Sequence, residues 1–133
     1  MFAQLKKFVY AHGVSGDEED ISSVIASDIA PYVDKVYTDA MGNLIAFKKG
    51  KGENPKKLMF AAHMDEIGFM VSFIDDKGYL RVSKMGGINY NAAAFSEVEF
   101  KNGTRGVIVP DARTAAKDFR PEGFYVDIGA KSK

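Results

Sequence analysis

The apolar positions change texture along the chain. Phe2, Leu5, Phe8 and Val9 recur at helical spacing, which predicts a short amphipathic helix over residues 2–10. His12-Gly13-Val14-Ser15-Gly16 breaks it. Ile21, Val24, Ile25 and Ile29 then form a second helical stripe, which Pro31 ends. Ser15 stands three residues before Glu18 and fits a capping box opening this helix, with Asp17, Glu18, Glu19 and Asp20 at its positive end. Two extended segments follow, 33–38 and 43–48, around a turn at Met41-Gly42-Asn43, and then a solvated loop at 49–55. Leu58-Met59-Phe60-Ala61-Ala62 is apolar without alternation. Such a run predicts a strand buried on both faces, the central strand of an α/β sheet.

Beyond Gly68 the pattern shortens and alternates. Segments 69–74 and 79–83 flank Asp75-Asp76-Lys77-Gly78, a predicted hairpin. Segments 95–100 and 105–109 flank Lys101-Asn102-Gly103-Thr104, where Asn-Gly favours a tight hairpin turn. Met85-Gly86-Gly87-Ile88 reads as a glycine turn and residues 90–95 as an exposed loop or interaction surface. The polar stretch from Asp111 to Glu122 carries a helical turn at Thr114–Phe119, and Phe124–Ile128 reads as a last strand. Short strands at this spacing predict a small β-barrel or sandwich, with a domain boundary near Gly68.

Composition narrows the function. The 133 residues carry 18 basic and 18 acidic side chains, so net charge gives no argument for nucleic acid or an anionic membrane. With 46% apolar and 27% charged residues the chain is globular rather than disordered. No cysteine is present, which removes disulfides and thiolate metal sites and fits a cytoplasmic chain. No apolar run reaches membrane length, and no signal-peptide core follows the N-terminal charges.

The candidate chemistry sits just after the apolar run, at His63, Asp65 and Glu66, where open α/β sheets place ligands. His63 and Asp65 form an H-x-D pair. Residues two apart at a strand end point the same way, so Asp65 can hold one ring nitrogen of His63 or share its metal; Glu66 points the other way. On spacing alone H-x-D is a weak signal, and the pair reads more simply as a strand-end histidine satisfied by a neighbouring acid. Gly13-Val14-Ser15-Gly16-Asp17 lacks the final glycine of a nucleophile elbow, so Ser15 reads as a helix cap. Gly86-Gly87 lacks the lysine and helix start of a phosphate loop.

Three motifs in order, His12-Gly13-Val14-Ser15-Gly16, Met41-Gly42-Asn43-Leu44-Ile45-Ala46 and Ala61 through Val71, resemble the glutamyl-aminopeptidase/cellulase-M family of dinuclear metallo-aminopeptidases, which includes the tetrahedral aminopeptidases. Asp75 through Leu80 and Val126 through Ala130 extend the likeness, which is weakest from Asn89 to Arg120. The resemblance implies that His63 is a metal ligand and that Asp65 is the catalytic-site acid orienting it. It implies zinc or cobalt, two per active site in the complete enzyme, and a peptide substrate cut at its N-terminus in the cytoplasm. It implies that residues 1–68 are part of an α/β metallopeptidase catalytic domain, and that residues 69–133 are a mostly β, PDZ-like barrel adaptor that associates with other copies. An endoglucanase activity is discounted, since no paired carboxylates flanking a sugar site stand out.

The family's bridging aspartate, catalytic glutamate and remaining ligands follow the adaptor, whereas this sequence runs to Lys133 and offers one family histidine. A catalytic zinc takes three protein ligands. The expectation is therefore an N-terminal portion of a metal-dependent aminopeptidase that binds few or no metals and is inactive by itself. The alternatives are a non-catalytic, self-associating assembly module and a soluble α/β protein whose H-x-D is incidental.

Overall fold

A computed structural model describes residues 2–111 and 123–133. The chain divides into two compact units, Met1–Glu66 and Ile67–Lys133.

In the first unit, α1 (Phe2–Val9) and α2 (Glu19–Ile29) are joined through a Lys7–Asp28 ion pair. Ile21 is the buried residue of α2, and a single 3-10 turn at Ala30–Tyr32 ends it at Pro31. β1 (Lys35–Thr38) and β2 (Leu44–Phe47) form an antiparallel hairpin. The apolar run differs from expectation. Residues 58–62 form no ladder, and Leu58, Met59 and Phe60 are 82%, 89% and 92% exposed. A strand exists only where a neighbour takes its backbone hydrogen bonds, and no described segment lies alongside this one. The capping box is also absent. Helix α2 begins after Glu18, which makes no side-chain cap bond, and the Glu18 carboxylate instead accepts from Gly16 N at 2.7 Å.

The second unit is a five-stranded antiparallel sheet of β3 (Gly68–Ile74), β4 (Leu80–Met85), β5 (Glu97–Glu99), β6 (Arg105–Pro110) and β7 (Phe124–Asp127), in the order β3-β4-β7-β6-β5. The last strand thus inserts between the two hairpins. Alternate residues of the three central strands, Leu80, Val82, Ile108, Phe124 and Val126, make the core. That is the period-2 burial of a sheet covered on one face. The segment expected to be an exposed loop holds a short helix, α3 (Tyr90–Ala93). Its cap, Asn89, accepts from Asn91 N and Ala92 N, and the Tyr90 ring stacks on Phe124 at 4.9 Å. The helical turn expected at Thr114–Phe119 lies outside the described residues. Among those described, the second unit is an open sheet with β3 and β5 at its edges, and barrel closure is not part of it.

One turn recurs in all three hairpins. Asp39, Asp75 and Phe100 each accept from a glycine three residues on, Gly42, Gly78 and Gly103, at 3.1, 2.9 and 2.8 Å. Each also donates to the residue after that glycine. These are three-residue loops closed by a left-handed glycine, with φ of +85°, +85° and +82°. The Asn-Gly pair at 102–103 thus closes the tight hairpin its sequence favours, as the second and third residues of a three-residue loop. Asn102 keeps negative φ, and its side chain accepts from Thr104 N at 3.0 Å.

Candidate functional site

The site is assembled where two loops of the first unit meet. The 12–16 loop and the segment around residue 65 run parallel, bridged between Val14 and Glu66. Glu66 N donates to Gly13 O at 2.8 Å, and Ser15 N to Glu66 O at 3.4 Å. The same loop is fastened to α2 by Ile21 N donating to His12 O at 3.1 Å. Gly13 is required by this close approach. A Cβ there would lie 2.7 Å from Ile21 Cγ2 and 3.4 Å from Met64 O. Gly16, at φ +93°, turns the chain away after Ser15.

This scaffold brings His63 and Asp65 together. His63 Nδ1 lies 3.0 Å from Asp65 Oδ1 and 3.0 Å from Asp65 O. Both are acceptors when the carboxylate is ionised, so in the neutral ring Nδ1 carries the proton and Nε2 carries the free lone pair. The His63 side chain is 86% exposed, which leaves Nε2 open to solvent. The other oxygen of Asp65, Oδ2, accepts from Ser15 Oγ at 2.5 Å. The Ser15 hydroxyl is the main cause that holds the Asp65 carboxyl below its ordinary value; partial desolvation acts against it, and His63 adds to it. Glu66 contributes its backbone to the bridge.

Ser15 is the site residue that the sequence concealed. Its spacing to Glu18 reads as a helix cap, yet its hydroxyl is spent on a carboxylate fifty residues away. No local pattern separates those two uses.

The donor chemistry fits one imidazole ligand with an orienting carboxylate. It does not amount to a metal centre by itself, since no group of three or more His, Cys, Asp or Glu among the described residues is placed to hold an ion.

Residues 42–133 match the profile of the M42 glutamyl aminopeptidases. The chain belongs to the M42 glutamyl aminopeptidase family. Over its whole length this M42 chain is 48% identical to a provisionally named aminopeptidase of Acetivibrio thermocellus, of which it covers 40%. It is similar to the solved aminopeptidase of Desulfurococcus kamchatkensis, with a TM-score of 0.87 and 34% identity over 98% of this chain and 38% of that one. It is similar also to a TET peptidase of Pyrococcus horikoshii that assembles into a tetrahedron or a large octahedral shell, with a TM-score of 0.81 and 35% identity over 98% of this chain and 41% of that one. The chain thus spans 40%, 38% and 40% of the length of three curated relatives that it matches. No described helix is long and apolar enough to cross a membrane.

Proposed function

We propose that this chain supplies one part of the active site of a cytoplasmic, metal-dependent aminopeptidase that releases N-terminal residues from peptides. His63 is the metal ligand, through Nε2, and Asp65 is the acid that orients it. The observation that carries this reading is the ring geometry, with Nδ1 turned onto Asp65 and Nε2 open in an M42 chain. A carboxylate on the far nitrogen fixes the tautomer of a metal-bound histidine and raises its basicity. Zinc or cobalt bound there would supply Lewis acidity and an activated water. What the chain's own residues do is orient one imidazole and place the proton of its neutral form on Nδ1, so that the Nε2 lone pair faces outward.

The unit Ile67–Lys133 acts in this reading as an adaptor of the family's PDZ-like barrel type that meets other copies. Support comes from its separate core and from the TET assemblies of its structural neighbour.

Calorimetric titration of the purified chain with zinc tests the reading, beside hydrolysis of lysyl, leucyl and glutamyl p-nitroanilides. Weak zinc binding that vanishes in His63→Ala is expected, with no metal-dependent release, because a catalytic zinc takes three protein ligands. Zinc binding unchanged by His63→Ala would overturn the ligand assignment. Clear release by the chain alone would overturn the partial-site assignment. No binding and no release would remove the zinc affinity expected of the isolated chain without favouring the non-catalytic assembly module, which sedimentation tests: a clean monomer counts against it.

A further inference from the structure

We propose that Ser15 is a positioning residue: its hydroxyl fixes the Asp65 carboxylate so that Asp65, in turn, holds His63 with Nε2 presented outward. The inference deepens the reading of His63 as a metal ligand and rests on it for its functional meaning, though not for its geometry.

The three side chains form one line. Ser15 Oγ donates to Asp65 Oδ2 at 2.5 Å, and Asp65 Oδ1 faces His63 Nδ1 at 3.0 Å. An ionised carboxylate only accepts, so the hydroxyl proton has to point at Asp65. Ser15 and His63 thus hold opposite oxygens of the carboxylate, beside a hydrogen bond from its own backbone N–H, and rotation about the Asp65 side chain would break both side-chain bonds together. Without Ser15, the side-chain donor on Oδ2 that opposes that rotation is gone. His63 Nδ1 would then fall back on its second acceptor, the Asp65 carbonyl at 3.0 Å, which carries no charge to raise the ring's basicity.

A simple tether between the two loops is the competing explanation. The backbone already makes that tether through Glu66 N to Gly13 O and Ser15 N to Glu66 O. Nor is the hydroxyl needed by α2, whose N-terminus takes no side-chain cap bond. The Ser15 side chain is therefore free of both structural duties that its position would otherwise impose.

The test uses the whole chain with Ser15→Ala, Ser15→Val and Ser15→Thr. Valine has the shape of threonine without the hydroxyl, so the Val/Thr pair isolates the donor even if the alanine variant folds poorly; threonine keeps the donor. The first readout is the tautomer of His63 from its ring ¹⁵N shifts at neutral pH. The second is zinc affinity followed at the His63 ring, and thermal melting reports structure. In Ser15→Ala and Ser15→Val the Nδ1–H tautomer should lose population in part, because the backbone acceptor remains. Zinc binding should weaken about tenfold, the low end for groups that support a ligand. Ser15→Thr should keep both.

A lowered melting temperature with unchanged tautomer and unchanged zinc affinity would make Ser15 a tether and overturn the proposal. Failure of Ser15→Thr to retain the tautomer while folded would overturn it too. A tautomer that responds to Ser15 in a chain whose His63 never takes zinc would leave the positioning role standing and remove the metal reading instead.

Discussion

Adding one methyl group at Gly13 should unsettle the whole approach of the two loops. The new Cβ would sit 2.7 Å from Ile21 Cγ2 and 3.2 Å from Ile21 Cβ. Carbon atoms prefer roughly 3.5–4.0 Å, so about 1 Å of movement is required. Overpacking of this kind costs about 1–3 kcal/mol. Stiffening the unfolded chain returns about 0.4–1 kcal/mol when glycine becomes alanine. The expected net loss is therefore about 0–2.6 kcal/mol, in a unit whose total, at 0.05–0.15 kcal/mol per residue, is only about 3–10 kcal/mol. The origin can be isolated with a double-mutant cycle. Ile21→Ala alone opens a cavity and should cost about 2–5 kcal/mol. The methyl added by Gly13→Ala can occupy that cavity, so the double variant should cost less than the sum of the two single changes by about 0.5 kcal/mol or more. Urea unfolding followed by far-ultraviolet circular dichroism is the assay, since α1 and α2 are the two longest described helices and both lie in this unit. Costs that add within roughly 0.3–0.5 kcal/mol would refute the contact.

Two further outcomes follow from turns and charges. Gly103→Ala and Gly78→Ala both force a left-handed φ, but only at Gly78 would the Cβ also meet Ala130 Cβ, at 2.9 Å. Thermal melts should show about 1 kcal/mol lost at Gly103 and clearly more at Gly78; equal losses would contradict the packing around Gly78. Asp39, bonded chiefly by Asn43, and Asp65, bonded chiefly by Ser15, both titrate below their ordinary value of 3.8. Depressed carboxyls favour the folded state above the unfolded value, and that contribution disappears as pH falls through the lowered folded values. Melting of the first unit should therefore hold steady from about pH 6 to about pH 4 and drop below that, and Asp39→Asn with Asp65→Asn should flatten the drop. An unchanged acid profile in the double variant would contradict the two hydrogen-bonded carboxylates.

What the sequence discloses about this fold is what neighbours in the chain decide. The hairpins are legible because Gly42, Gly78 and Gly103 stand where a three-residue loop needs positive φ. The core of the second unit is legible because Phe124 and Val126, and Ile108 in β6, alternate with outward residues. His63 and Asp65 are legible as a pair because they are two residues apart and their bond is local. The failures share the opposite cause. Residues 58–62 have the texture of a buried strand, but a strand is made by its ladder, and the sequence of one segment holds no information on whether a neighbour is there. Tyr90–Ala93 looks like a loop because its helix is one turn long, and Tyr90 is held in place by Phe124, a residue distant in the chain. Ser15 offers the same local pattern whether it caps α2 or binds Asp65, and only the folded bridge at Val14 and Glu66 decides.

The most direct measurement is a paramagnetic titration of the chain with cobalt, following the two carbon-bound ring protons of His63 by NMR, with His12 as the internal comparison. Both protons flank Nε2, whereas only one lies next to Nδ1. The two His63 protons should broaden together, His12 should broaden much less, and His63→Ala should remove the effect. Broadening that favours the proton beside Nδ1, or that falls equally on His12, would contradict a ligand held by Asp65 with Nε2 outward.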